Sequence, residues 1–313
     1  MANDSMSMLD GKKVLITGGT GSLGHALTQR ILNSDVEQIR ILSRNEFKQV
    51  SMESTIRDVR LRFFIGDVRD RNRLKMATQG VDYIIHSAAL KHVPTAEYNP
   101  FEFINTNIIG AKNIVSAALH CGVKKVITIS TDKAVNPINL YGASKLAADK
   151  VFIAANRLSG TEITRFSVVR YGNVIGSRGS VIPLFKKILL EEKTKIFPIT
   201  DEKMTRFWIT LKQSVDFVLK SFERMKGGEI FVPKIPSVKI TDIATALAPN
   251  LSHRIIGIRA GEKIHEILCA KDTSHLTLEF SDHFVIQPTI RFVDVDHDYS
   301  TNRLSEVQTT KVH

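Results

Sequence analysis

A glycine-rich turn between two apolar runs constrains the fold of this chain more than any other feature. The run Lys13–Thr17 is apolar and β-branched, which predicts a strand, and apolar residues from Leu23 onward recur at helical spacing. Gly18, Gly21 and Gly24 lie at the junction. In a strand–turn–helix unit, such glycines make the tight turn, let backbone approach a pyrophosphate and let the helix pack against the sheet. The chain is therefore predicted to begin with a dinucleotide-binding unit.

Strand-like and helical patterns alternate over the first 170 residues. Strands are predicted at 13–17, 38–42, 61–65, 83–86, 125–130 and 163–169, and helices are clearest at 103–119 and 144–158. This alternation predicts an α/β fold with a doubly wound parallel Rossmann sheet. Glycines and prolines interrupt the pattern later, which predicts a smaller, irregular C-terminal substrate domain. We assign residues 1–175 and about 205–232 to the Rossmann domain, and residues 176–204 and 233–313 to the substrate domain.

Charge and composition narrow the expected partners. The 313 residues carry 43 Lys and Arg against 32 Asp and Glu, a net charge of +11, but the positive residues are scattered. No basic patch is interleaved with aromatics, so anionic small molecules are favoured over nucleic acid. The two cysteines are far apart, and no cluster has metal-ligand spacing, so we expect neither a disulfide nor a metal site. No apolar signal-peptide core or membrane-spanning stretch is found, which predicts a cytoplasmic protein without a membrane partner.

The ends of the second and third strands favour NADP over NAD as the cofactor. An NAD site usually has an acidic residue after the second strand, whereas this chain has Ser43 and Arg44. A guanidinium suits a 2′-phosphate, although a plain surface arginine is the alternative. Asp67 is placed to accept from the adenine amino group. The predicted cofactor-binding residues are Gly18, Thr20, Gly21, Ser22, Leu23, Gly24, Ser43, Arg44, Asp67, Val68, Ala88, Ser130, Tyr141, Lys145 and Val174.

The fifth strand and the helix after it carry the candidate catalytic residues. Tyr141 and Lys145 are four residues apart and share one helix face, so the ammonium is expected to lower the pKa of the phenol. Thr131 ends the strand and can hydrogen-bond the hydroxyl that Tyr141 deprotonates. Asp132 and Lys133 follow directly. From the residues alone, this pair is either catalytic or a solvated strand end.

These motifs resemble the extended short-chain dehydrogenase/reductase family. The segments FIGDVRD, ALKHVPTAEYNP, STDKAVNPINLYGASK and RYGNVIGSRGSVIP resemble, more closely, the inverting UDP-N-acetylglucosamine 4,6-dehydratases, which open pseudaminic acid synthesis in flagellated bacteria. MTRFWIT, GGEIFVPKIPS and IGIRAGEKIHE extend the resemblance to about residue 290, and it fades beyond Arg291. The resemblance implies an NADP-dependent enzyme that acts on UDP-N-acetylglucosamine as a homo-oligomer, either a dimer or a hexamer.

The resemblance also implies roles for the catalytic residues. Tyr141 takes the proton of the sugar C4 hydroxyl, and Asp132 and Lys133 are the acid and base of water elimination across C5 and C6. Lys133 removes the C5 proton, and C5 is reprotonated from the opposite face. Retaining relatives carry Asp–Glu where this chain carries Asp–Lys. A lysine base must be partly neutral, so Lys145 and Lys91 are expected to provide a positive neighbourhood.

Substrate contacts are expected mainly from the second domain. Arg206 and Arg259 are candidate diphosphate ligands, Glu262 is a candidate for the ribose hydroxyls, and Lys91 is expected near the sugar. The predicted substrate-binding residues are Lys91, Asn173, Arg178, Gly179, Ser180, Val181, Ile182, Arg206, Arg259 and Glu262.

Two other functions stay open at this point. A UDP-sugar 4-epimerase would use Tyr141 and the dinucleotide without needing Asp132 or Lys133. A non-enzymatic NADP-sensing protein would keep the glycines, but such proteins typically lose the Tyr–Lys pair that this chain retains.

Overall fold

Fifteen strands are present in the part of the chain that the computed structural model describes, residues 4–159, 164–177, 180–190, 196–290, 298–300 and 310–311. They are β1 (Lys13–Thr17), β2 (Gln38–Ser43), β3 (Leu61–Ile65), β4 (Tyr83–His86), β5 (Lys125–Thr131), β6 (Arg165–Tyr171), β7 (Asn173–Val174), β8 (Ile196–Ile199), β9 (Thr205–Ile209), β10 (Ile230–Pro233), β11 (Ser237–Lys239), β12 (Ser252–Ile255), β13 (Thr277–Glu279), β14 (His283–Ile286) and β15 (Thr310–Lys311).

Ten α-helices are present among the same described residues. They are α1 (Ser22–Ile31), α2 (Glu46–Ile56), α3 (Arg71–Thr78), α4 (Val93–Tyr98), α5 (Pro100–Phe103), α6 (Gly110–His120), α7 (Leu140–Ala155), α8 (Val181–Leu190), α9 (Leu211–Arg224) and α10 (Ile240–Leu247). A π-helical stretch, Ile104–Ile109, joins α5 to α6, and 3₁₀ turns occupy Asp4–Leu9, Asp132–Ala134 and Lys271–Leu276.

Several helices begin where a side chain caps the first turn. Asn45 accepts from the Lys48 amide at the start of α2, and Asp70 accepts in the same way at the start of α3. Thr210 and Gln213 form a reciprocal capping box on α9. In contrast, α1 begins after Gly21 without a side-chain cap. Its first N–H groups therefore face the glycine turn, where they are available to an anion.

The central sheet has the strand order β15-β13-β14-β10-β6-β5-β4-β1-β2-β3. From β3 through β10 the neighbouring strands are parallel, whereas β14, β13 and β15 are added antiparallel. The segment β3-β2-β1-β4-β5-β6 is the doubly wound dinucleotide-binding order. The fold class predicted from the sequence is confirmed.

The strands β13 and β14 lie in the central sheet, although the sequence analysis assigns residues 233–313 to the smaller substrate domain. That domain, residues 176–204 and 233–313, is called the smaller unit below. These antiparallel strands are three and four residues long, without the intervening helices that made the earlier strands recognisable. The helix α9 also lies against this sheet, since Phe222 of α9 packs on Tyr83 of β4 with ring centroids 5.1 Å apart. The division into two domains stays a prediction.

Apolar side chains cover both faces of the sheet and fill a separate core in the smaller unit. One face packs Leu27, Phe217 and Phe222, and the other packs Ile114 and Phe152. The smaller unit has its own cluster, which comprises Phe185, Phe197, Ile199, Met204, Ile240 and Ala244. No helix among the described residues is both long and apolar enough to cross a membrane. The carboxyl ends of the parallel strands face a cavity that residues of this smaller unit also line.

Candidate active site

The turn after β1 fits the pyrophosphate of a dinucleotide. Gly18 has φ +67°, and a Cβ there would lie 2.9 Å from the Cα of Ala88. A Cβ on Gly24 would lie 2.5 Å from the Cα of Gly19, so α1 approaches the turn as closely as only glycine permits. Of the remaining predicted residues of this turn, Ser22 and Leu23 begin α1 and place their backbone N–H groups at its start, whereas Thr20 and Gly21 precede the helix and the Gly21 N–H donates to the Gly18 carbonyl at 2.9 Å. The structure therefore provides a cradle for phosphate oxygens.

Charged side chains surround the ends of β2 and β3. Ser43 is buried, and its hydroxyl accepts from Gln49 at 3.0 Å. The half-exposed Arg44 guanidinium lies 3.8 Å from the Asp67 carboxylate, which also binds Arg69 at 2.7 Å. Burial tends to raise the pKa of Asp67, but the hydrogen bonds from Arg69 prevail and hold that pKa below its usual value. Sequence reasoning missed Arg69, which brings a second guanidinium to this corner.

The remaining cofactor candidates line the strand ends with mostly apolar surface. Val68 is buried against α6, where a Cβ on Gly110 would lie 2.8 Å from its Cγ2. The backbone of Ala88 touches the glycine turn, and Val174 of β7 lines the adjoining cavity. The Ser130 hydroxyl donates to Asp149 at 2.7 Å, so in this structure it ties the end of β5 to the middle of α7.

Lys133 lies at the centre of a buried polar cluster. The chain leaves strand geometry after Thr131 and forms a 3₁₀ turn over Asp132–Ala134, which directs successive side chains to one side. The Lys133 ammonium lies 3.0 Å from Asp132 and donates to the Asn173 Oδ1 at 3.4 Å. Asp132 is fully buried, and its Oδ1 also accepts from the Thr131 hydroxyl at 2.9 Å. The adjacent acid and base candidates therefore contact each other.

Gly142 brings Tyr141 to this cluster. A Cβ on Gly142 would lie 2.1 Å from the Lys133 carbonyl oxygen, so α7 packs directly on the 3₁₀ turn. Burial raises the pKa of Tyr141 to about 12, whereas Lys133 and the hydrogen bond with Thr131 act in the opposite direction. The cation that favours the phenolate here is Lys133, and not the predicted Lys145. The expectation of a lowered phenol pKa is wrong for the protein alone, since desolvation prevails.

Lys145 belongs to a second buried network behind Tyr141. Burial lowers the pKa of Lys145, and Asp149, one turn along α7, opposes that shift. Asp149 also contacts Arg170 of β6 at 3.4 Å, and Arg170 donates to the Leu268 carbonyl at 3.2 Å. This network fixes the helix that carries Tyr141 against the sheet.

The segment from Arg259 to Glu266, here called the 259–266 segment, contributes residues that sequence reasoning missed. Glu266 is buried, and its Oε1 lies 3.3 Å from the Lys133 ammonium. Lys263 lies 3.7 Å from the other Glu266 oxygen and donates to the Val135 carbonyl at 2.6 Å. Asn139 donates to the Gly261 carbonyl at 2.7 Å. These contacts fasten the segment to the catalytic turn, about 130 residues away in the chain.

The electrostatic environment of Lys133 differs from the sequence prediction. Burial lowers its pKa, but Asp132 and Glu266 prevail, so the pKa of Lys133 is raised. Lys91 lies close enough for the two cations to interact, and partial burial together with Lys133 lowers the pKa of Lys91. The positive neighbourhood expected from Lys91 and Lys145 is therefore outweighed by two carboxylates. Without a bound sugar, the two carboxylates favour the ammonium form of Lys133.

A cavity of about 550 Å³ lies beside this cluster, within the size range of small-molecule sites. Its lining includes the predicted substrate residues Asn173, Ser180, Val181, Arg206, Arg259 and Glu262, together with Lys133 and Glu266. Ile182 lies on α8 and is not part of that lining. The predictions for Arg178 and Gly179 fall outside the described residues. Most of the predicted substrate residues therefore share one cavity with the catalytic cluster.

Two of the predicted ligands are partly engaged with the protein itself. Arg206 donates to the Thr205 carbonyl at 2.7 Å and to the Ile264 carbonyl at 3.0 Å, which orients its guanidinium. Arg259 contacts Glu262 at 2.5 Å across the mouth of the cavity. A diphosphate that binds Arg259 therefore either competes with the Glu262 carboxylate or uses the other donors of the guanidinium.

Asn107, which sequence reasoning also missed, positions the loop that carries Lys91. Its side-chain amide pairs with both backbone groups of Leu90, at 2.9 and 3.0 Å, and donates to the Ser144 hydroxyl at 2.9 Å. A buried asparagine within the apolar run FINTNIIGA is the sequence feature that could have indicated this role. Among the described residues, no group of three or more His, Cys, Asp or Glu side chains is arranged to hold a metal.

Comparison with known proteins agrees with this geometry. The family model described as polysaccharide biosynthesis protein matches residues 14–288. The chain is 60% identical to the inverting UDP-N-acetylglucosamine 4,6-dehydratase of Campylobacter jejuni, over 96% of this chain and 90% of that protein. It is 45% identical to the UDP-glucose 4-epimerase of Rickettsia conorii, over 88% of this chain and 82% of that protein. The solved structure of Pen from Bacillus thuringiensis superposes with a TM-score of 0.87 and 38% identity, covering 90% of both chains.

Proposed function

The chain belongs to the polysaccharide biosynthesis protein family and is a nucleotide-sugar dehydratase, and from this premise we propose its substrate, cofactor and residue roles. It is a UDP-N-acetylglucosamine 4,6-dehydratase that inverts C5. The product is the UDP-linked 2-acetamido-2,6-dideoxy-β-L-arabino-hexos-4-ulose.

The observation that carries this function is the contact between the buried Asp132 and Lys133, which lies beside Tyr141 and lines the cavity. Water elimination across C5 and C6 needs an acid and a base in addition to the group that deprotonates the C4 hydroxyl. A 4-epimerase needs only the last of these. The buried Asp–Lys pair therefore supplies the two groups that distinguish a dehydratase from an epimerase.

Tyr141 acts first, as the base for the sugar C4 hydroxyl. Its phenol hydrogen-bonds with Thr131, and Lys133 favours the phenolate electrostatically. The bound nicotinamide ring supplies reversible hydride acceptance at C4 and hydride return to C6. The residues that hold the dinucleotide are those of the glycine turn, together with Arg44 at the end of β2. The burial that raises the phenol pKa also excludes water from this step.

Lys133 and Asp132 carry out the elimination. Oxidation at C4 acidifies the C5 proton, which neutral Lys133 removes. The proton that Lys133 must lose to become neutral passes to the Asp132 carboxylate, 3.0 Å away, and Asp132 then gives it to the C6 hydroxyl, which leaves as water. The Asp132 Oδ1 already accepts from Thr131 and Lys133, whereas its Oδ2 has no hydrogen-bond partner among the described residues. The Oδ2 is therefore the oxygen that serves the leaving hydroxyl.

The UDP moiety occupies the part of the cavity lined by the smaller unit. Arg206 and Arg259 bind the diphosphate, and Glu262 binds the ribose hydroxyls after its contact with Arg259 opens. Asn173 and Lys91 are positioned for the sugar, since both are close to Lys133. Charge-assisted bonds from two guanidinium groups suit a diphosphate.

The cofactor is proposed to be NADP because of the charges at the end of β2. Arg44 follows the strand where NAD enzymes usually place a carboxylate, and its side chain is about half exposed. The carboxylate of Asp67 is bound at 2.7 Å by Arg69 and lies 3.8 Å from Arg44, so the Arg44 guanidinium is only loosely paired and can bind a 2′-phosphate. Binding of both dinucleotides, measured by calorimetry, tests this choice.

A homo-oligomer is supported by exposed aromatic side chains beside the sheet. Tyr98 of α4 is 86% exposed and Phe101 of α5 is 76% exposed, so two successive helices present large apolar side chains that a partner subunit would cover. Sedimentation of the purified chain distinguishes the monomer, dimer and hexamer.

A UDP-sugar 4-epimerase is the second candidate, since a relative at 45% identity carries that name. Proton NMR of UDP-N-acetylglucosamine with the protein in D₂O separates the two. A new C6 methyl group with deuterium at C5 and L-arabino couplings is expected. The same methyl group with D-xylo couplings would remove the assigned role of Lys133, and a C4 epimer alone would identify an epimerase.

A further inference from the structure

Trp208 of β9 is a buried hydrogen-bond donor in the cavity wall, and the reaction set out above gives it no task. It is the only tryptophan of the chain, it is 6% exposed, and it lines the cavity together with Asn173 and Arg206. Its backbone N–H donates to the Pro236 carbonyl at 3.0 Å, whereas its indole Nε1 has no hydrogen-bond partner among the described residues. A buried indole N–H usually has a partner, so we expect a ligand to supply the acceptor.

Strand pairing places Trp208 between the catalytic cluster and the diphosphate site. Its register partner on β7 is Asn173, whose Oδ1 accepts from the Lys133 ammonium at 3.4 Å. Arg206 lies two residues earlier on β9 and therefore on the same face of the strand, whereas Phe207 faces the other side and lines a second cavity. In the substrate, the sugar ring joins these two points, since its C5 faces Lys133 and its C1 carries the diphosphate. Trp208 is therefore placed beside the sugar.

The sugar offers few acceptor oxygens that are not already assigned. Tyr141 serves the C4 hydroxyl, and Asp132 serves the C6 hydroxyl. The diphosphate has the guanidinium groups of Arg206 and Arg259, which bind a charged oxygen more strongly than a neutral N–H does. This leaves the C3 hydroxyl and the acetamido carbonyl on C2, of which the amide carbonyl is the better acceptor. C2 is also bonded to C1, the atom that carries the diphosphate beside Arg206.

We propose that Trp208 is a specificity-determining residue, whose indole N–H donates to the acetamido carbonyl at C2 of the sugar. Neighbouring protein atoms cover Nε1 in this structure, so the indole ring must turn about its side-chain bonds as the sugar enters. The buried N–H then gains the acceptor that the protein does not provide. This inference rests on the proposed substrate and names the contact by which the site recognises its 2-acetamido group.

A donor of this kind makes the site reject a sugar without the acetamido group. UDP-glucose has a hydroxyl at C2, whose oxygen is bonded directly to the ring and cannot reach as far as the amide carbonyl. The indole N–H then stays buried and unpaired, which costs more than an ordinary hydrogen bond contributes. Trp208 therefore provides discrimination between sugars and adds little to the affinity for UDP itself.

The Trp208→Phe variant tests the proposal, because it keeps an aromatic ring and removes the N–H. Binding is measured by calorimetry with excess NADP, in a Tyr141→Phe background so that no ligand is converted. The Kd for UDP-N-acetylglucosamine should rise about 10-fold, whereas the Kd values for UDP-glucose and UDP should change by less than about twofold. Any loss of packing around the smaller ring affects the two sugars alike and cancels in their ratio.

Because the chain has one tryptophan, a second measurement needs no substitution at position 208. Protein labelled with ¹⁵N gives one indole N–H signal in the NMR spectrum. A hydrogen bond to a carbonyl moves the proton signal downfield, so UDP-N-acetylglucosamine should move it and UDP-glucose and UDP should not.

The matched control for Trp208→Phe is Tyr299→Phe. It also removes an aromatic donor, but one that already bonds the Gly227 carbonyl at 2.8 Å. Gly227 precedes β10 and therefore lies at the edge of the sheet away from the cavity. All three Kd values should stay unchanged in this variant.

The outcomes that overturn the proposal are distinct from those that overturn the function. An equal rise in all three Kd values would assign Trp208 to the UDP moiety or to packing alone. The proposal also fails if the protein with Trp208 in place binds UDP-glucose as tightly as UDP-N-acetylglucosamine, or if UDP alone moves the indole signal equally. Binding needs no turnover, so a protein that shows the expected Kd values but forms no C6 methyl product would keep the contact and lose the dehydratase function.

Discussion

Gly142 and Lys133 are in backbone contact, and a Cβ on Gly142 would lie 2.1 Å from the Lys133 carbonyl oxygen. This contact sets the distance between α7, which carries the phenol, and the 3₁₀ turn, which carries the acid and base. It is reinforced by Asn139, whose Oδ1 accepts from the Gly142 amide at 2.7 Å while its Nδ2 holds Gly261. One glycine and one asparagine thus align three segments of the active site.

The Gly142→Ala variant should lose activity more than it loses stability. The new methyl group must displace α7 from the turn, and a misplacement of this kind is expected to lower kcat about 100-fold. Overpacking should lower the free energy of unfolding by about 1–3 kcal/mol. Steady-state kinetics and thermal unfolding measure the two effects. Ala143→Ser adds an atom at the exposed neighbouring position and should change neither.

Arg44 is expected to determine the choice of dinucleotide. Arg44→Ala removes a charge-assisted contact to the 2′-phosphate, so the Kd for NADP should rise about 10- to 100-fold. The Kd for NAD should hardly change, since NAD has no phosphate there. Calorimetric titration with each dinucleotide measures the difference, and Arg62→Ala on the exposed edge of β3 is the matched control. Equal losses for both dinucleotides would contradict the NADP assignment.

Substitution of Tyr141 and substitution of Lys133 should stop the reaction at different steps. Tyr141→Phe removes the base for the C4 hydroxyl, so neither reduced nicotinamide nor product should form. Lys133→Met removes the base for C5, so turnover should fall by about 100- to 10,000-fold while C4 oxidation continues. Rapid-mixing absorbance and NMR of the C6 methyl group distinguish the two. A Lys133→Met variant that still incorporates deuterium at C5 would refute its role as base.

His86 should make the fold sensitive to acid. Burial, assisted by Lys145, lowers its pKa to about 3, and its ring bonds Thr17 at 2.7 Å. The unfolded histidine binds a proton below about pH 6.5 and the folded one does not, so stability falls as pH decreases between about 6.5 and 3. At pH 5 the cost is about 2 kcal/mol.

Urea unfolding at pH 7 and pH 5 measures this effect. The His86→Gln variant lacks the titrating ring, so its stability should change less between the two pH values than that of the unmodified protein. His120→Gln, at an exposed position near the end of α6, should behave like the unmodified protein. A pH dependence of His86→Gln identical to that of the unmodified protein would show that another group is responsible.

The parallel half of the sheet could be predicted because the sequence signals for its strands and helices each lie within a short stretch of chain. Each strand and helix there shows the hydrophobic periodicity of its own type, and the spacing of the three glycines is enough to indicate a dinucleotide-binding turn. The helix α7 nevertheless begins four residues before the predicted 144, because the cap is Asn139, a polar residue outside the periodic stretch. The strands β13 and β14 are too short for their period to be recognised.

The site was predictable only as far as its residues are neighbours in sequence. Asp132, Lys133, Tyr141 and Lys145 lie within fourteen positions of each other, and their approach follows from one turn and one helix. Glu266 lies 133 residues beyond Lys133, and no spacing connects the two. The pKa of Lys133 is therefore raised in the structure and not lowered as the sequence predicted, since its second carboxylate arrives through tertiary packing.

The separate hydrophobic cluster of the smaller unit has an evolutionary consequence. Phe185 and Phe197 stack at 4.3 Å and, with Met204 and Ile240, hold the wall of the cavity without sharing side chains with the clusters on the sheet. Substitutions in that wall can accumulate while the dinucleotide turn and the catalytic strand end keep their packing. Lineages with the same oxidation chemistry can thus diverge in the sugar nucleotides they accept, through drift confined to one small module.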